Sequence, residues 1–534
     1  MRDVEKITAE IEKRARARTH SPENSAFQKF IGEDWGERPA GPARAEVADY
    51  TPARRAKLGE LFPKERLVFP AGIYKVRSND TDYRFRAHSA FAHLTGLGAE
   101  QEPNAVLVLH PQEETSASAS ASDTGGNANS SASTATHRAV LYFHPRTARS
   151  DAEFYNDPQY GEFWVGARLS RAEMSTLTGL EVKNITELEA DLEKDLGKEV
   201  KNLRIIRRVD KNWEQKVAKL RSRFLPAVEE AESTEKDFQL EEAASELRLR
   251  KDAWEIAQME AAIAATARGF REIIKELPRA RQHVRGERVV EGAFSARARE
   301  EGNGLGYETI AASGNHANTL HWIRNDGPVR EGDLILIDAG IEIDSLYTAD
   351  ITRTLPVSGS FTPIQKKIYN AVLAAADTAF GRAGEPGVRF RDVHSAAMEV
   401  IVAHLQDWGI IPDGEAGEFA RKQQYYRRWM PHGTSHHLGI DVHDCAQARR
   451  EMYQEALLAP GMIFTIEPGL YFRADDLKVP PEFRGIGVRI EDDILVTESG
   501  VRRLSEFIPR SATAVENWIA EIQDNCPEER PEDE

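Results

Sequence analysis

The sequence predicts a chain of mixed secondary structure, with an α+β C-terminal half behind a smaller α/β N-terminal domain. Three observations carry that expectation. At 534 residues the chain exceeds what one ordinary hydrophobic core encloses, so two or three domains are required. The second half alternates short apolar strands with helical stretches. Between about 229 and 252 the text becomes densely charged, as in a linker running into a helix, which puts the domain boundary near residue 240.

The elements follow in order. Residues 1–60 are charged and helix-prone, broken by a Pro/Gly/Ala-rich stretch near 38–45, and read as a helical extension. The N-terminal domain then spans 61–240. Within it the run Val106, Leu107, Val108, Leu109 is bounded by Asn104 and Pro111, which suits a buried strand. A segment of Ser, Ala, Thr, Asn and Gly fills 113–136 and cannot bury enough apolar area to offset its ordering entropy, so a flexible insertion is expected. Strand-like text resumes at Ala139, predicting a hairpin or neighbouring strand pair with the insertion at its tip. The C-terminal domain spans 241–512. Ile256, Met259, Ile263, Phe270 and Ile274 stand at offsets of 0, 3, 7, 14 and 18, one face of a helix that Pro278 is expected to end. Residues 513–534 read as a tail, whose acidic end from 527 is a solvated terminus.

Composition narrows the function. Hydrophobic residues make up 40% and charged residues 29%, enough apolar content for real cores. A net charge of −17 argues against broad nucleic-acid binding, which needs clustered Lys and Arg, and is compatible with peptide substrates and focused cation sites. Two cysteines, Cys445 and Cys526, exclude a disulfide framework and fit a reducing cytoplasm. No apolar run of signal length follows Met1, and none approaches the roughly 20 residues of a membrane span. A cytoplasmic protein without a membrane partner is the expectation.

The chemistry lies in the second half. Three apolar strands each deliver a carboxylate: Leu334 to Ile337 leads into Asp338, Met462 to Ile466 into Glu467, and Val488 to Ile490 into Glu491. One Asp at a strand end is ordinarily a turn former. Several on apolar strands point into a shared interior, where desolvation and repulsion forbid clustering without compensation. Two divalent cations would balance four carboxylates, and carboxylate bridging of paired metals is a hydrolytic arrangement. The segment 432–443 holds His432, His436, His437 and His443. His432 and His436 have the spacing of a helical zinc motif, but Gly433 stands where that motif has Glu, so a strand-and-turn setting is expected instead. An oxygen-rich set with one imidazole favours Mn²⁺, although Co²⁺, Fe²⁺ or Zn²⁺ can bind such ligands.

Six blocks then stand in order: Ile337-Asp338-Ala339-Gly340, Ala349-Asp350-Ile351-Thr352-Arg353-Thr354, His432-Gly433-Thr434-Ser435-His436, Asp441-Val442-His443-Asp444, Thr465-Ile466-Glu467-Pro468-Gly469 and Gly487-Val488-Arg489-Ile490-Glu491-Asp492-Asp493. Each is weak alone. Together, over about 240–510, they resemble the Xaa-Pro aminopeptidase (aminopeptidase P) family of pita-bread metallopeptidases. Asn79 to Arg86 and Phe91 to Leu97 resemble, more loosely, that family's non-catalytic domain, which walls the active site and mediates oligomerisation. The fold implied is a C-terminal pita-bread domain behind a creatinase/prolidase-like α/β domain.

The resemblance implies that Asp338, Asp350, His436, Glu467 and Glu491 ligate two metal ions, with Asp350 and Glu491 bridging. It implies that Glu467 serves as general base, His443 faces the oxyanion, His432 contacts substrate on the prime side of the scissile bond, and Arg489 supports a ligand or touches substrate. Tyr307 and His321 fall in blocks that line the proline pocket. A pocket of imidazole and aromatic faces suits a ring that lacks an N–H. Asp338 and Asp350 lie twelve apart, one more than the family pattern, so a longer turn through 343–347 must absorb the extra residue. His437, His394 and Cys445 receive no catalytic role. The activity implied is removal of an N-terminal residue preceding proline, from peptides, by a homo-dimer or homo-tetramer. Two rivals stand beside it: an Xaa-Pro dipeptidase (prolidase), and a non-enzymatic pita-bread binding module, which predicts eroded ligands.

Overall fold

The computed structural model describes residues 24–79, 81–112 and 136–525. It divides into two compact units that part between Leu247 and Arg248. That lies past the boundary expected near 240, because the charged stretch is itself a helix, Glu230–Leu247, belonging to the first unit. Its inner face buries Leu240, Ala244 and the Asp237 carboxylate, which accepts from Ile205 N at 3.0 Å and Arg221 Nη1 at 3.0 Å. Glu241 is buried as well, accepting from Arg207 N at 3.1 Å and Arg208 Nη2 at 2.8 Å, and exposed charges such as Glu230, Glu232 and Glu235 lie on the solvated face.

The first unit is built on a five-stranded mixed sheet. Its strands are β1 (Glu65–Pro70), β2 (Val106–Pro111), β3 (His137–Phe143), β4 (Glu181–Asn184) and β5 (Asn202–Ile205), in the order β4-β3-β2-β1-β5. β2 and β3 pair antiparallel from Val106↔Tyr142 to Pro111↔His137, the strand pair expected to flank the insertion. The insertion itself, residues 113–135, lies outside the described residues. Both faces of β2 are covered, with Val106 and Val108 on one core and Leu107 and Leu109 equally buried opposite, which is why the run reads as continuously apolar.

A polar group is enclosed in this core. Tyr142 donates to Asp191 at 2.7 Å, so His110, 3.0 Å from the same hydroxyl, donates to it through Nε2. Burial, with Arg66 and Arg138 adding to it, pushes the His110 imidazole down to about 3. A histidine neutral when folded and protonated when unfolded gives the unfolded state more bound protons, so stability is complete above about 6.5 and falls as pH drops toward 3. His110→Leu is expected to flatten the pH 7 to 4.5 stability slope by on the order of 2 kcal/mol, read as the difference between variant and wild-type urea midpoints.

The second unit opens with α1 (Ala253–Gln282), capped by the reciprocal Asp252–Glu255 box, and α2 (Gly286–Glu301). Pro278 does not end α1 as expected. Leu277 and Ala280 are fully buried and hold the next turn in place despite the missing N–H, and the helix stops at His283. Three strands, β6 (Ile310–Ser313), β7 (Leu334–Ala339) and β8 (Ile351–Pro356), form an antiparallel sheet in the order β8-β7-β6. Two helices, α3 (Pro363–Ala383) and α4 (Phe390–Asp407), follow and pack on each other. Then come β9 (Ile463–Ile466), β10 (Gly469–Phe472), β11 (Ile486–Arg489), β12 (Asp492–Thr497) and β13 (Gly500–Arg503). β12 lies between β9 and β13, and β10 pairs with β11. The tail expected from 513 begins instead as α5 (Ala512–Asp524), which buries Val515, Trp518, Ile519 and Ile522. Its apolar residues recur at three- and four-residue intervals, the pattern of a helix with one packed face. The acidic end from 527 is outside the described residues.

The connection from Asp338 to Asp350 makes a tight turn through 343–347. Leu346 takes a left-handed backbone (φ 71°) while its side chain is fully buried, and Leu346 N donates to Ile343 O at 2.8 Å. β7 and β8 keep their register, with Asp338 opposite Thr352.

Candidate metal centre and substrate cavity

The carboxylates come from the strand ends. Asp338 is near the end of β7, Asp350 immediately precedes β8, Glu467 follows β9, and Glu491 sits between β11 and β12. Gly340 lets the first two approach: a Cβ there would stand 1.7 Å from Ala349 O, where no side chain fits. His436 is docked beside β9, donating its N–H to Thr465 Oγ1 at 3.2 Å and accepting from Thr465 N at 3.0 Å. The next link, Glu467 N to Thr434 O at 2.9 Å, ties the histidine segment to the second carboxylate strand. This is the strand-and-turn setting expected, not a helix.

Asp350, His436 and Glu491 each present an atom within 4.8 Å of the others. His436 Nδ1 donates to His437 O at 3.2 Å, which leaves Nε2 facing Asp350 Oδ2 at 3.3 Å and Glu467 Oε1 at 3.8 Å. Asp338 accepts from Tyr307 at 2.7 Å and from Arg489 Nη2. All five predicted ligand residues therefore converge on one place.

Electrostatics there are those of a cation site. Burial pushes Glu467 up to about 8 against the pull of His436 and Arg489, and Glu491 well above its usual range, with Asp350, Glu467 and Asp338 adding to the effect. Burial would lower His436, but Asp350 and Glu467 outweigh it and raise it to about 9. Four carboxylates against one guanidinium and one imidazole are short of positive charge, and divalent cations fit that deficit.

The other predicted residues line the same cavity of about 480 Å³: Tyr307, His321, His432, His443 and Arg489, with Leu320 and Ile323 on an apolar wall. Tyr307 also does something the sequence did not indicate, since its hydroxyl lies on Asp338 and Asp350. Arg489 donates to Tyr471 at 3.0 Å, and Tyr471 in turn to His432 Nε2 at 2.7 Å, because His432 Nδ1 is spent on Gly433 O. Burial and Arg489 hold the His432 imidazole down, at about 3, so it stays neutral. His443 stands edge-on to His436 at 4.5 Å.

Several supporting residues were missed. Thr352 donates to Glu491 Oε2 at 2.7 Å, and Asp493 accepts from Asp350 N at 3.2 Å. The two-residue repeat from Asp350 to Thr352 to Thr354 places those side chains on one face of β8, a signal available in the sequence. The residues left without a role are structural. His437 is fully buried and stacked on Phe390 at 4.6 Å, His394 meets Thr434 at 3.2 Å, and burial pushes the Cys445 thiol up.

The chain was compared with known proteins. Residues 257–498 match Metallopeptidase family M24, and 51–204 match the Aminopeptidase P, N-terminal domain. Among curated proteins it is 46% identical over 480 residues to Xaa-Pro aminopeptidase 2 of Streptomyces coelicolor, covering 90% of this chain and 92% of that protein. It is 31% identical to Xaa-Pro aminopeptidase 3 of Homo sapiens, covering 90% and 87%. Among solved structures it resembles aminopeptidase P from Escherichia coli with the inhibitor Pro-Leu, with a TM-score of 0.72 and 27% identity over 90% of this chain and 100% of that one. A zinc-substituted form of that enzyme in complex with product gives a TM-score of 0.73 at 28% identity, covering 90% of this chain and 99% of that one.

Proposed function

The chain belongs to metallopeptidase family M24, its activity is that of an Xaa-Pro aminopeptidase, and we propose which of its residues carry that activity. The observation that supports the assignment is the convergence of Asp338, Asp350, His436, Glu467 and Glu491 in one cavity with His321, His432 and His443. These five residues would hold two divalent ions, and the oxygen-rich set favours Mn²⁺. Bound there, such a pair supplies an activated water at neutral pH and polarises the scissile carbonyl.

The chain's own groups do the rest. Glu467 accepts the nucleophile's proton and delivers it to the proline nitrogen as the C–N bond breaks. The products are a free amino acid and a peptide beginning with proline. The His443 imidazole faces the tetrahedral oxygen. Tyr307, His321, Leu320 and Ile323 wall the proline ring, and neutral His432 meets substrate beyond it. Arg489 holds Asp338 and, through Tyr471, orients His432.

The cysteine content, with Cys445 buried and free, supports a cytoplasmic home. Among the described residues no helix is long and apolar enough to cross a membrane. The N-terminal domain supports a homo-dimer or homo-tetramer, the assembly its resemblance implies.

Purified protein loaded with Mn²⁺ should release the first residue of an Xaa-Pro-Xaa tripeptide and act poorly on the Xaa-Pro dipeptide. Cleavage of the dipeptide alone would make it a prolidase instead.

A further inference from the structure

One buried carboxylate outside the metal centre carries an unusual load. Glu287, in the first turn of α2, is fully buried. Its Oε1 accepts from Ser313 N at 2.8 Å and His316 Nδ1 at 2.8 Å. Its Oε2 accepts from Trp322 Nε1 at 2.9 Å and Gly327 N at 2.7 Å. Two donors on each oxygen fill the four sites a carboxylate offers. Three of them come from one connection, the loop between β6 and β7, and the fourth, Ser313 N, from the last residue of β6.

That loop carries the apolar side of the substrate cavity. Leu320, His321 and Ile323 line it. Trp322, between His321 and Ile323, turns the other way: its indole reaches Glu287 and stacks on His316 at 3.9 Å. The direction of Trp322 therefore sets which side chains face the substrate. The packing leaves no slack, since a Cβ on Gly327 would lie 2.8 Å from Glu287 Oε2 and 2.7 Å from His316 Nδ1. Asn325 anchors the same loop to β6, donating to Thr309 O at 2.8 Å and accepting from Ala311 N at 3.0 Å. Elsewhere the loop makes short local turns, Thr319 N to His316 O and Ile323 N to His321 O, and is tied near its two ends by Ala474 N to Asn315 Oδ1 at 2.9 Å and Gln365 Nε2 to Gly332 O at 2.8 Å.

We propose that Glu287 is a positioning residue for substrate recognition, fixing through Trp322, His316 and Gly327 the wall that receives the proline ring. This rests on the reading of Leu320, His321 and Ile323 as the proline-facing side of the cavity. Glu287 touches no metal ligand and no reacting atom, so its loss should weaken substrate placement and leave the metal centre intact. Glu287→Gln is nearly isosteric, but its amide nitrogen turns two hydrogens toward two of the four donors and breaks the clamp on one side.

The test uses full-length, Mn²⁺-loaded enzyme and an Xaa-Pro-Xaa tripeptide. For Glu287→Gln the expected result is KM raised about tenfold or more, with kcat changed by less than about threefold and unaltered Mn²⁺ affinity by titration calorimetry. Trp322→Phe keeps the ring stacked on His316 and removes one donor, so KM should rise about threefold, and it carries the test if Glu287→Gln does not fold. His321→Ala is measured in parallel. If His321→Ala raises KM while folded Glu287→Gln and Trp322→Phe leave it unchanged, the positioning role is overturned and the substrate wall stands. If Glu287→Gln raises KM and His321→Ala does not, Glu287 acts through Leu320 and Ile323, and the role of His321 falls. A loss of Mn²⁺ affinity in Glu287→Gln would overturn the proposal by making Glu287 a support of the metal site.

Discussion

Asp350→Asn should fold and bind little metal, and its kcat/KM on an Xaa-Pro-Xaa tripeptide should fall by roughly 10³-fold or more. Asparagine keeps the shape, the backbone bond to Asp493 and a carbonyl for Tyr307. It removes one negative charge from a set whose balance against two divalent cations depends on all four carboxylates. The same substitution should change metal-free stability little, because losing the pairing of Asp350 with His436 is offset by relief of the like-charge repulsion that pushes Glu491 upward. Metal content by elemental analysis, kinetics and metal-free melting separate this from simple misfolding. A variant that is inactive and melts far below wild type without metal would mean that Asp350 serves the fold.

Arg353→Met should produce the largest loss of stability, on the order of 3–5 kcal/mol in denaturant unfolding of the second unit. Its side chain is wholly buried, and its guanidinium reaches the link between β11 and β12 that carries Glu491. Nε donates to Pro509 O at 2.9 Å. Nη1 donates to Thr352 O at 2.9 Å and Glu491 O at 2.6 Å, and Nη2 to Asp492 Oδ1 at 2.7 Å and Ile508 O at 3.2 Å. Methionine fills much of the space but leaves the buried carbonyls of Pro509, Glu491 and Ile508 without that donor, takes one of two donors from Thr352 O, and weakens the shell around Asp492, which Arg503 and Arg510 still neutralise and Ser505 still hydrogen-bonds. Because Arg353 Nη1 bridges the carbonyls of Thr352 and Glu491, any folded remainder should also bind metal weakly. Unchanged unfolding would show that water or repacking replaces the guanidinium.

What was legible in the sequence was local. Asp338, Glu467 and Glu491 each announce themselves as a carboxylate ending an apolar strand, and His436 stands in a histidine-dense segment between them. The strand pair around the insertion was legible for the same reason, since Val106 to Leu109 and Ala139 to Phe143 are continuous apolar runs. What was hidden depends on distant partners. The donors to Glu287 lie 26 to 40 residues further along, and in sequence Glu287 is one more charge near a helix start. Arg353 reads as a solvated residue in a threonine-rich motif until β8, β11 and β12 enclose it. Pro278 and the charged helix Glu230–Leu247 misled for a related reason: burial of one face decides where a helix ends, and local propensity cannot report that burial.

The measurement to make first is release of the N-terminal residue from an Xaa-Pro-Xaa tripeptide by metal-stripped protein titrated with Mn²⁺. Negligible activity without metal, rising to a plateau near two equivalents per chain, is the result expected if Asp338, Asp350, His436, Glu467 and Glu491 hold a metal pair that drives the cleavage. Full activity in the stripped protein, or none with both equivalents bound, would contradict it.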